Sequence, residues 1–297
     1  MRVLVTGGAG FIGQYVVEAL QGRGHSALVF DHHGRGEGEV FLGDVTDNVA
    51  VTEAMTHCDA FIHLAAVLGT QETIQNPRPA AISNLMGGLN VLEAAAQYEV
   101  PGTYIGVGNH WMNNTYSISK TMVERFIDMY NNNRGTCINI VRAMNAYGPR
   151  QVPAFPYGPS RVRKITPSFC CRALTNHDIE IYGDGLQVSD MVWVGDVAQA
   201  LVRATELALA QVCFPRPVEI GPAENNTVLE VAEMIKRLAG SDSRITHLPM
   251  RPGEIPGSTV TADTSTLALV DMTPKDLMPL EEGMAMTVEY FREYLAC

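Results

Sequence analysis

The 297-residue chain lacks several features that would point to common partners. It has 21 basic residues against 32 acidic ones, a formal net charge of −11, and no block of basic residues. This balance argues against a nucleic-acid partner, and a few local arginines must hold any anionic ligand. No apolar run approaches the roughly 20 residues that span a bilayer, and the first strand begins at residue 2, leaving no room for a signal segment. We expect a cytoplasmic protein without a membrane partner.

Cysteine patterns typical of metal or disulfide frameworks are also missing. Six cysteines are scattered without a CxxC pair: Cys58, Cys137, Cys170, Cys171, Cys213 and Cys297. This predicts reduced packing residues, with neither a zinc site nor disulfides. The length suits one large α/β domain or two modest ones that share a cleft.

The chain does have a glycine-rich turn between a strand and a helix near its N-terminus. The run Val3-Leu4-Val5 leads into Thr6-Gly7-Gly8-Ala9-Gly10-Phe11-Ile12-Gly13, and a second strand ends at Asp31. Such glycines let the main chain lie against a pyrophosphate, and the N–H groups at the helix start attract its charge. A carboxylate at Asp31 is placed to bond ribose hydroxyls, which favours NAD because the 2′-phosphate of NADP would meet it. Three following residues can offset part of this repulsion: His32, His33 and Arg35.

Strand-like and helical segments alternate beyond this unit. Strands are predicted at 40–42, 60–63, 103–107 and 137–142, and apolar spacing predicts helices at 84–98 and 118–130. The alternation predicts an α/β fold with a doubly wound parallel sheet. Residues 151–164 are rich in Pro, Gly and Arg, which indicates a loop that leaves the sheet. We expect a dinucleotide-binding domain at 1–150 plus about 190–220, and a smaller lobe at about 151–189 and 221–297.

Tyr116 and Lys120 stand four residues apart, on one face of a helix that should follow the strand at 103–107. A phenol of pKa about 10 is a poor base at neutral pH. A nearby ammonium and the positive ring of an oxidised nicotinamide both favour the phenolate, which can take a proton from a sugar hydroxyl while hydride leaves the carbon. This spacing often arises by chance, but its place after the dinucleotide turn makes the pair a catalytic candidate.

These motifs together resemble those of the extended short-chain dehydrogenase/reductase superfamily, specifically the NAD-dependent epimerase/dehydratase family that modifies nucleotide sugars. The resemblance covers nearly the whole chain and implies a Rossmann-type fold with a smaller C-terminal α/β substrate lobe. The matching segments occur in the expected order: TGGAGFIG at 6–13, GDV at 43–45, HLAA at 63–66, Asn84, YSISK at 116–120, VRAMNAYGPR at 141–150, IYGDG at 181–185, VGDVA at 194–198, RPGE at 251–254 and AD at 262–263.

The resemblance implies NAD as the cofactor and assigns residues to the site. The implied cofactor contacts are Gly7, Gly10, Phe11, Ile12, Gly13, Asp31, His32, Asp44, Val45, Leu64, Ala65, Ala66, Asn84, Tyr116 and Lys120. The implied substrate contacts are Asn145 near the pyrophosphate, Tyr182, and Arg251 on a phosphate, where a planar guanidinium offers two parallel hydrogen bonds. A homodimer with a four-helix interface, built from 84–98 and 116–130, is also implied.

The chain departs from the family pattern just before the catalytic tyrosine. Family members carry a Ser or Thr there, whereas this chain has Gly108 and Asn109. Asn109 can replace the hydroxyl because its amide both donates and accepts, and Thr115, Ser117 and His110 are alternatives. The segment offers no carboxylate where the family's dehydratases place Thr-Asp-Glu, which disfavours a 4,6-dehydratase.

A second departure is Ser189, where relatives often carry an arginine that binds phosphate. Arg161, Arg163 or Lys164 in the Pro-rich loop can replace it, or the substrate carries less charge at this point.

The sequence favours an NAD-dependent nucleotide-sugar epimerase that inverts C4 of a UDP- or dTDP-hexose through a transient 4-keto intermediate. The candidate catalytic residues are Tyr116, Lys120 and Asn109. The alternatives are a nucleotide-sugar reductase or dehydrogenase that exchanges NAD(P)H with solution, an atypical dehydratase, and a non-catalytic NAD-binding scaffold.

Overall fold

Short runs rich in Val, Ile, Leu and Phe form the strands of the main sheet, as expected for strands that are covered on both faces. The computed structural model describes residues 1–34 and 38–296. In chain order the strands are β1 (Arg2–Thr6), β2 (Ser26–Asp31), β3 (Glu39–Leu42), β4 (Ala60–His63), β5 (Gly102–Val107), β6 (Ile138–Ala143), β7 (Asn145–Tyr147), β8 (Ile179–Tyr182), β9 (Val188–Ser189), β10 (Met191–Trp193), β11 (Val218–Ile220), β12 (Ile245–Leu248) and β13 (Thr259–Val260).

Helices connect most of these strands. They are α1 (Phe11–Gly22), α2 (Asn48–Met55), α3 (Glu72–Gln75), α4 (Pro77–Ala80), α5 (Gly87–Tyr98), α6 (Thr115–Arg134), α7 (Ile165–Leu174), α8 (Val194–Leu209), α9 (Val228–Ala239) and α10 (Leu280–Ala296). A π-helical turn, Ala81–Met86, joins α4 to α5, and 3₁₀ turns occupy Thr264–Val270 and Pro274–Asp276.

Seven strands pair in parallel in the order β3-β2-β1-β4-β5-β6-β11. The predicted doubly wound α/β sheet is therefore confirmed, and the four predicted strands lie within one residue of the observed ones. Strand order reverses between β1 and β4, and in such sheets ligands bind at the carboxyl ends beside that reversal.

Side chains alternate between the two faces of the sheet and build a core on each. Val3 and Val5 pack on the face covered by α1 and α8, whereas Leu4 and Phe30 pack on the face covered by α2, α5 and α6. A third core joins α7, α9 and α10, with Phe291 at its centre. The turn at 264–270, which we expected in the lobe, packs its buried leucine and valine on the first of these cores.

Two helices differ in their bounds from the predicted ones. The helix predicted from Asn84 begins earlier, at Pro77, and Asn84 lies inside its π-helical turn. The helix predicted at 118–130 is α6, which starts at Thr115 because the side chain of Asn114 caps it by accepting from the Ser117 N–H (2.9 Å).

The expectation that all cysteines are reduced is wrong for two of them. Cys137 and Cys213 form a disulfide, with 5.4 Å between their Cα atoms. The two are 76 residues apart in sequence but meet because β11 pairs with β6 and draws the loop before it to the start of β6. Asn139 also fastens that loop, since its side chain bonds Val212 O and Phe214 N.

No helix within the described ranges is long and apolar enough to cross a membrane. The same residues contain no group of three or more His, Cys, Asp or Glu side chains able to hold a metal ion.

Candidate active site

The carboxyl ends of the sheet strands open onto one large cavity of about 1840 Å³. Typical small-molecule sites measure roughly 300–1,000 Å³, so this one has room for two ligands side by side. One end is the glycine turn after β1, and the other reaches Tyr182 and Arg251 in the lobe. Tyr116 and Lys120 lie on the wall of the same cavity.

The glycine turn has the shape of a pyrophosphate cradle. Gly7 has a φ of +71°, and a Cβ there would lie 2.9 Å from the main-chain N of Ala65. A Cβ on Gly13 would overlap the main chain of Gly7, so only glycine lets α1 lie this close to the turn. Because Gly10 leaves the start of α1 without a side-chain cap, the N–H groups of the first turn can meet an anion.

Asp31 ends β2 beside this turn, with 8% of its surface exposed. Its Oδ2 accepts from the Ala9 N–H (3.2 Å) and its Oδ1 from the His33 N–H (3.1 Å). These bonds hold the Asp31 carboxylate beside the glycine turn, where the ribose of a dinucleotide would lie. A carboxylate there can accept hydrogen bonds from the ribose hydroxyls, so the arrangement fits NAD. His32 is mostly exposed, with Nδ1 3.6 Å from Asp31 Oδ1. Arg35 lies outside the described residues.

The other predicted cofactor residues fall into two groups. Those on the cavity wall are Phe11, Ile12, Asp44, Val45, Leu64, Ala65 and Ala66. Thr6 Oγ1 accepts from the N–H groups of Leu64 (3.2 Å) and Ala65 (3.3 Å), which fixes the loop after β4. Two hydrogen bonds from Thr46 hold the pKa of the Asp44 carboxyl below its usual value.

Asn84 stands apart because it does not line the cavity. It is 1% exposed, and its amide is used inside the protein. Its Oδ1 accepts from the Val67 N–H (2.7 Å), and its Nδ2 donates to Val67 O (3.1 Å) and Ser119 Oγ (3.1 Å). Asn84 therefore fastens the loop after β4 to α6, and its amide is not free to make the direct contact that the resemblance implied.

The ionisation of Tyr116 and Lys120 differs from the sequence-based expectation. Burial lowers the pKa of Lys120 to about 7, against a smaller opposite effect of the Glu124 carboxylate. Burial also raises the pKa of Tyr116 to about 12. The chain alone therefore does not supply the acidified phenol that we expected from Lys120. The positive ring of an oxidised nicotinamide is the remaining source of that shift.

Asn109, the predicted replacement for the family's hydroxyl, lies in the turn after β5. It lines the cavity, and its Oδ1 accepts from Ser117 Oγ (3.2 Å). Of the alternatives, Thr115 donates to Thr73 O (3.0 Å), and neither Ser117 nor His110 lines the cavity.

The lobe end of the cavity gathers positive charge around one aromatic ring. The guanidinium carbons of Arg163 and Arg251 lie 5.2 Å and 4.9 Å from the centroid of the Tyr182 ring. Arg163 also donates to the Tyr182 hydroxyl (3.1 Å) and pairs with Glu180 (2.8 Å), and Arg251 pairs with Glu254. The buried Nε of Arg251 has no acceptor among the described residues, which fits an anion site. Lys164 lines the cavity, and burial lowers its pKa.

Asn145 and Ser189 line the same cavity. Parallel pairing of β7 with β10 brings them together, and Asn145 Nδ2 donates to Ser189 Oγ (2.8 Å). Arg161 is exposed and lines only a smaller adjoining hollow. Which of the three basic residues faces the ring of Tyr182 depends on the path of the Pro-rich loop, which residue spacing alone does not determine.

Known proteins resemble this chain in sequence and in structure. Residues 3–221 match the model described as the NAD dependent epimerase/dehydratase family. The chain is 28% identical to UDP-N-acetyl-alpha-D-glucosaminuronate decarboxylase of Bacillus cytotoxicus, over 98% of each protein.

Two solved structures share the fold over their whole length. UDP-glucose 4-epimerase of Thermotoga maritima, solved with UDP-glucose, is 27% identical with a TM-score of 0.87, covering 99% of this chain and 100% of that one. UDP-glucose 4-epimerase of Thermus thermophilus, solved with NAD, is 30% identical with a TM-score of 0.83, covering 98% and 99%. The resemblance inferred from the motifs is confirmed: the chain is an enzyme that belongs to the NAD-dependent epimerase/dehydratase family.

Proposed function

We propose that this enzyme is a nucleotide-sugar C4 epimerase that acts on a UDP- or dTDP-hexose through a transient 4-keto sugar. The observation that carries the proposal is a single cavity with a dinucleotide cradle at one end and an arginine cluster at the other. Tyr116 and Lys120 line the wall of this cavity, together with a neighbouring segment at 108–112 that carries no carboxylate.

Each catalytic residue has a distinct role in this reaction. Bound NAD supplies the acceptor for the C4 hydride. Tyr116, as the phenolate that the positive ring of bound NAD would favour, takes the C4 hydroxyl proton, and Lys120 holds the nicotinamide ribose. Asn109 donates an N–H to the C4 oxygen. Rotation of the 4-keto sugar would present the opposite face of C4 to the cofactor for return of the hydride, and Tyr116 would give the proton back to the C4 oxygen.

The nucleotide is held firmly so that the sugar can turn. Arg163 and Arg251 bind the diphosphate beside Tyr182, with Asn145 next to them. Ser189 contributes no charge, and Arg163 takes over the role of the arginine that relatives often carry there.

We test the proposal with the purified enzyme and UDP-glucose, UDP-N-acetylglucosamine, UDP-glucuronate and dTDP-glucose, following anomeric NMR signals. The expected result is interconversion of C4 epimers without a change of mass, while Tyr116→Phe lowers kcat by about 10²–10⁴. Failure with every sugar, or loss of water or carbon dioxide, would overturn it. Stoichiometric NAD released by acid supports the epimerase, and an empty protein that consumes NAD(P)H supports the reductase alternative.

We also propose that the enzyme is a homodimer. The turn before α5 and the outer face of α6 expose apolar side chains that lie one or two turns apart. These are Ile82, Met86, Ile118, Met122 and Met129, with 38–49% of their surface exposed. Paired α5 and α6 helices from two copies would cover them as a four-helix interface.

A further inference from the structure

The turn between β5 and α6 presents one amide group to the cavity in a fixed orientation. The Met112 N–H donates to Asn109 O (3.0 Å), which closes the turn. Because Asn109 Oδ1 accepts from Ser117, its Nδ2 points the other way, 3.6 Å from Met112 Sδ. A thioether sulfur is a weak acceptor, so the amide N–H groups remain available to a ligand oxygen.

Ser117 is more deeply buried than Asn109. It is fully buried, and its main-chain N–H donates to the helix cap Asn114 (2.9 Å). Its hydroxyl has Asn109 as its hydrogen-bond partner. Because Ser117 directly follows Tyr116, the position of its hydroxyl is tied to the helix turn that carries the phenol.

Position 108 cannot supply the hydroxyl that relatives use. A Cβ on Gly108 would lie 2.5 Å from Met144 Sδ, so a side chain there would displace the methionine. Thr115 is also committed elsewhere, to the carbonyl of Thr73.

We infer that Ser117 is a positioning residue that aims the Asn109 amide at the reacting oxygen of the substrate. This rests on the proposed function. As the C4–H and O–H bonds break, hydride goes to the bound NAD, the proton goes to Tyr116, and the C4 carbonyl forms. The carbonyl oxygen accepts from Asn109 Nδ2. Since an amide N–H does not pass a proton on, Tyr116 takes the proton directly and not through a relay.

A double-mutant cycle tests this role, with the variants Asn109→Ala, Ser117→Ala, the double variant, and Thr115→Ala as the control. Loss of one donor to a developing oxyanion lowers kcat by about 10²-fold, which we expect for Asn109→Ala. Ser117→Ala should lower kcat by about 10-fold, and it should lower it no further in the Asn109→Ala background. KM and the NAD content should stay at wild-type values. Thr115→Ala should turn over like wild type.

Three results would overturn the inference while leaving the proposed function intact. In the first, the double variant loses kcat by the product of the two single-variant losses. In the second, kcat is unchanged in Ser117→Ala. In the third, Thr115→Ala loses as much kcat as Ser117→Ala. The last would show that damage to the start of α6 causes the effect. Absence of turnover in the wild type would instead overturn the proposed function itself.

Discussion

The ammonium of Lys120 lies 4.0 Å from the centroid of the Tyr104 ring, and the Tyr104 hydroxyl donates to Lys120 O (3.1 Å). One buried tyrosine of β5 thus fastens α6 to the sheet and offers its π face to the charge of Lys120. Glu124 lies one turn along the helix and bonds Arg142 (2.6 Å). Because Arg142 neutralises much of the Glu124 charge, Glu124 only weakly stabilises the Lys120 ammonium. The effect of burial is therefore larger than that of Glu124, and it lowers the pKa of Lys120.

Because Lys120 is buried, it should lower the free energy of unfolding by an amount that depends on pH, and Lys120→Met should remove this effect. The pKa of Lys120 is about 7 in the folded chain and 10.5 for ordinary lysine. Between these pH values Lys120 therefore loses a proton when the chain folds. The free-energy cost of burying Lys120 has its full value below pH 7 and is zero above pH 10.5. Between pH 7 and 10 the free energy of unfolding of NAD-stripped wild type should rise relative to Lys120→Met. The rise amounts to a few kcal/mol, at about 1.4 kcal/mol per pKa unit. Parallel urea-unfolding profiles would contradict this.

From the position of the Asp31 carboxylate we predict which dinucleotide the enzyme binds. Asp31→Ser removes the carboxylate beside the glycine turn, and we expect about 10- to 100-fold weaker NAD binding, from one or two lost hydrogen bonds. NADP binding should strengthen because its 2′-phosphate no longer meets a negative charge. Calorimetric titration of the stripped protein measures both. Asp128→Asn makes a similar charge change at an exposed position and should leave both affinities unchanged. An unchanged preference for NAD in Asp31→Ser would refute the assignment.

The arginine cluster predicts how the diphosphate is held. Arg163→Met and Arg251→Met each remove a charged donor beside Tyr182, which is worth about 1.5–3 kcal/mol. We expect UDP affinity to fall by about 10- to 100-fold in each and its salt dependence to weaken. Arg161→Met should bind UDP like wild type because Arg161 is exposed outside the main cavity. If Arg161→Met shows the largest loss instead, the anchor lies in the outer hollow.

The fold was predictable because the sheet strands are apolar on both faces and separated by helices, a pattern that needs no long-range information. The order of the motifs also placed Asp31, Tyr116 and Arg251 on one cavity. The orientation of individual side chains was not predictable. Asn84 matched its motif but turns inward, because Val67 and Ser119 satisfy its amide.

Contacts between segments that are distant in sequence could not be predicted either. Met144, the residue between β6 and β7, closes the space above Gly108, and nothing near Gly108 in sequence indicates it. Burial of Tyr116 and Lys120, which sets their pKa values, likewise depends on the packing of the whole helix.

The exposed apolar stripe predicts the oligomeric state. Ile118→Glu combined with Met122→Glu places two charges in the proposed helix interface, which desolvation makes costly. We expect the wild type to sediment as a dimer and the variant as a monomer. Met286→Glu changes a comparably exposed methionine on α10 and should leave the dimer intact. A monomeric wild type would rule out the interface.

The disulfide predicts a loss of stability without a loss of catalysis. Cys137 precedes the amino end of β6, whereas the cavity lies at the carboxyl ends of the strands. Cys213→Ser opens a long covalent loop, and we expect the free energy of unfolding to fall by about 2–4 kcal/mol while kcat stays unchanged. Cys58→Ser is the control, since it removes a thiol that lies outside the disulfide and whose pKa burial raises to about 12. Reduction should lower the urea midpoint of wild type and Cys58→Ser but not that of Cys213→Ser. Equal midpoints before and after reduction of wild type, with no gain of two thiols, would show that the bond does not form.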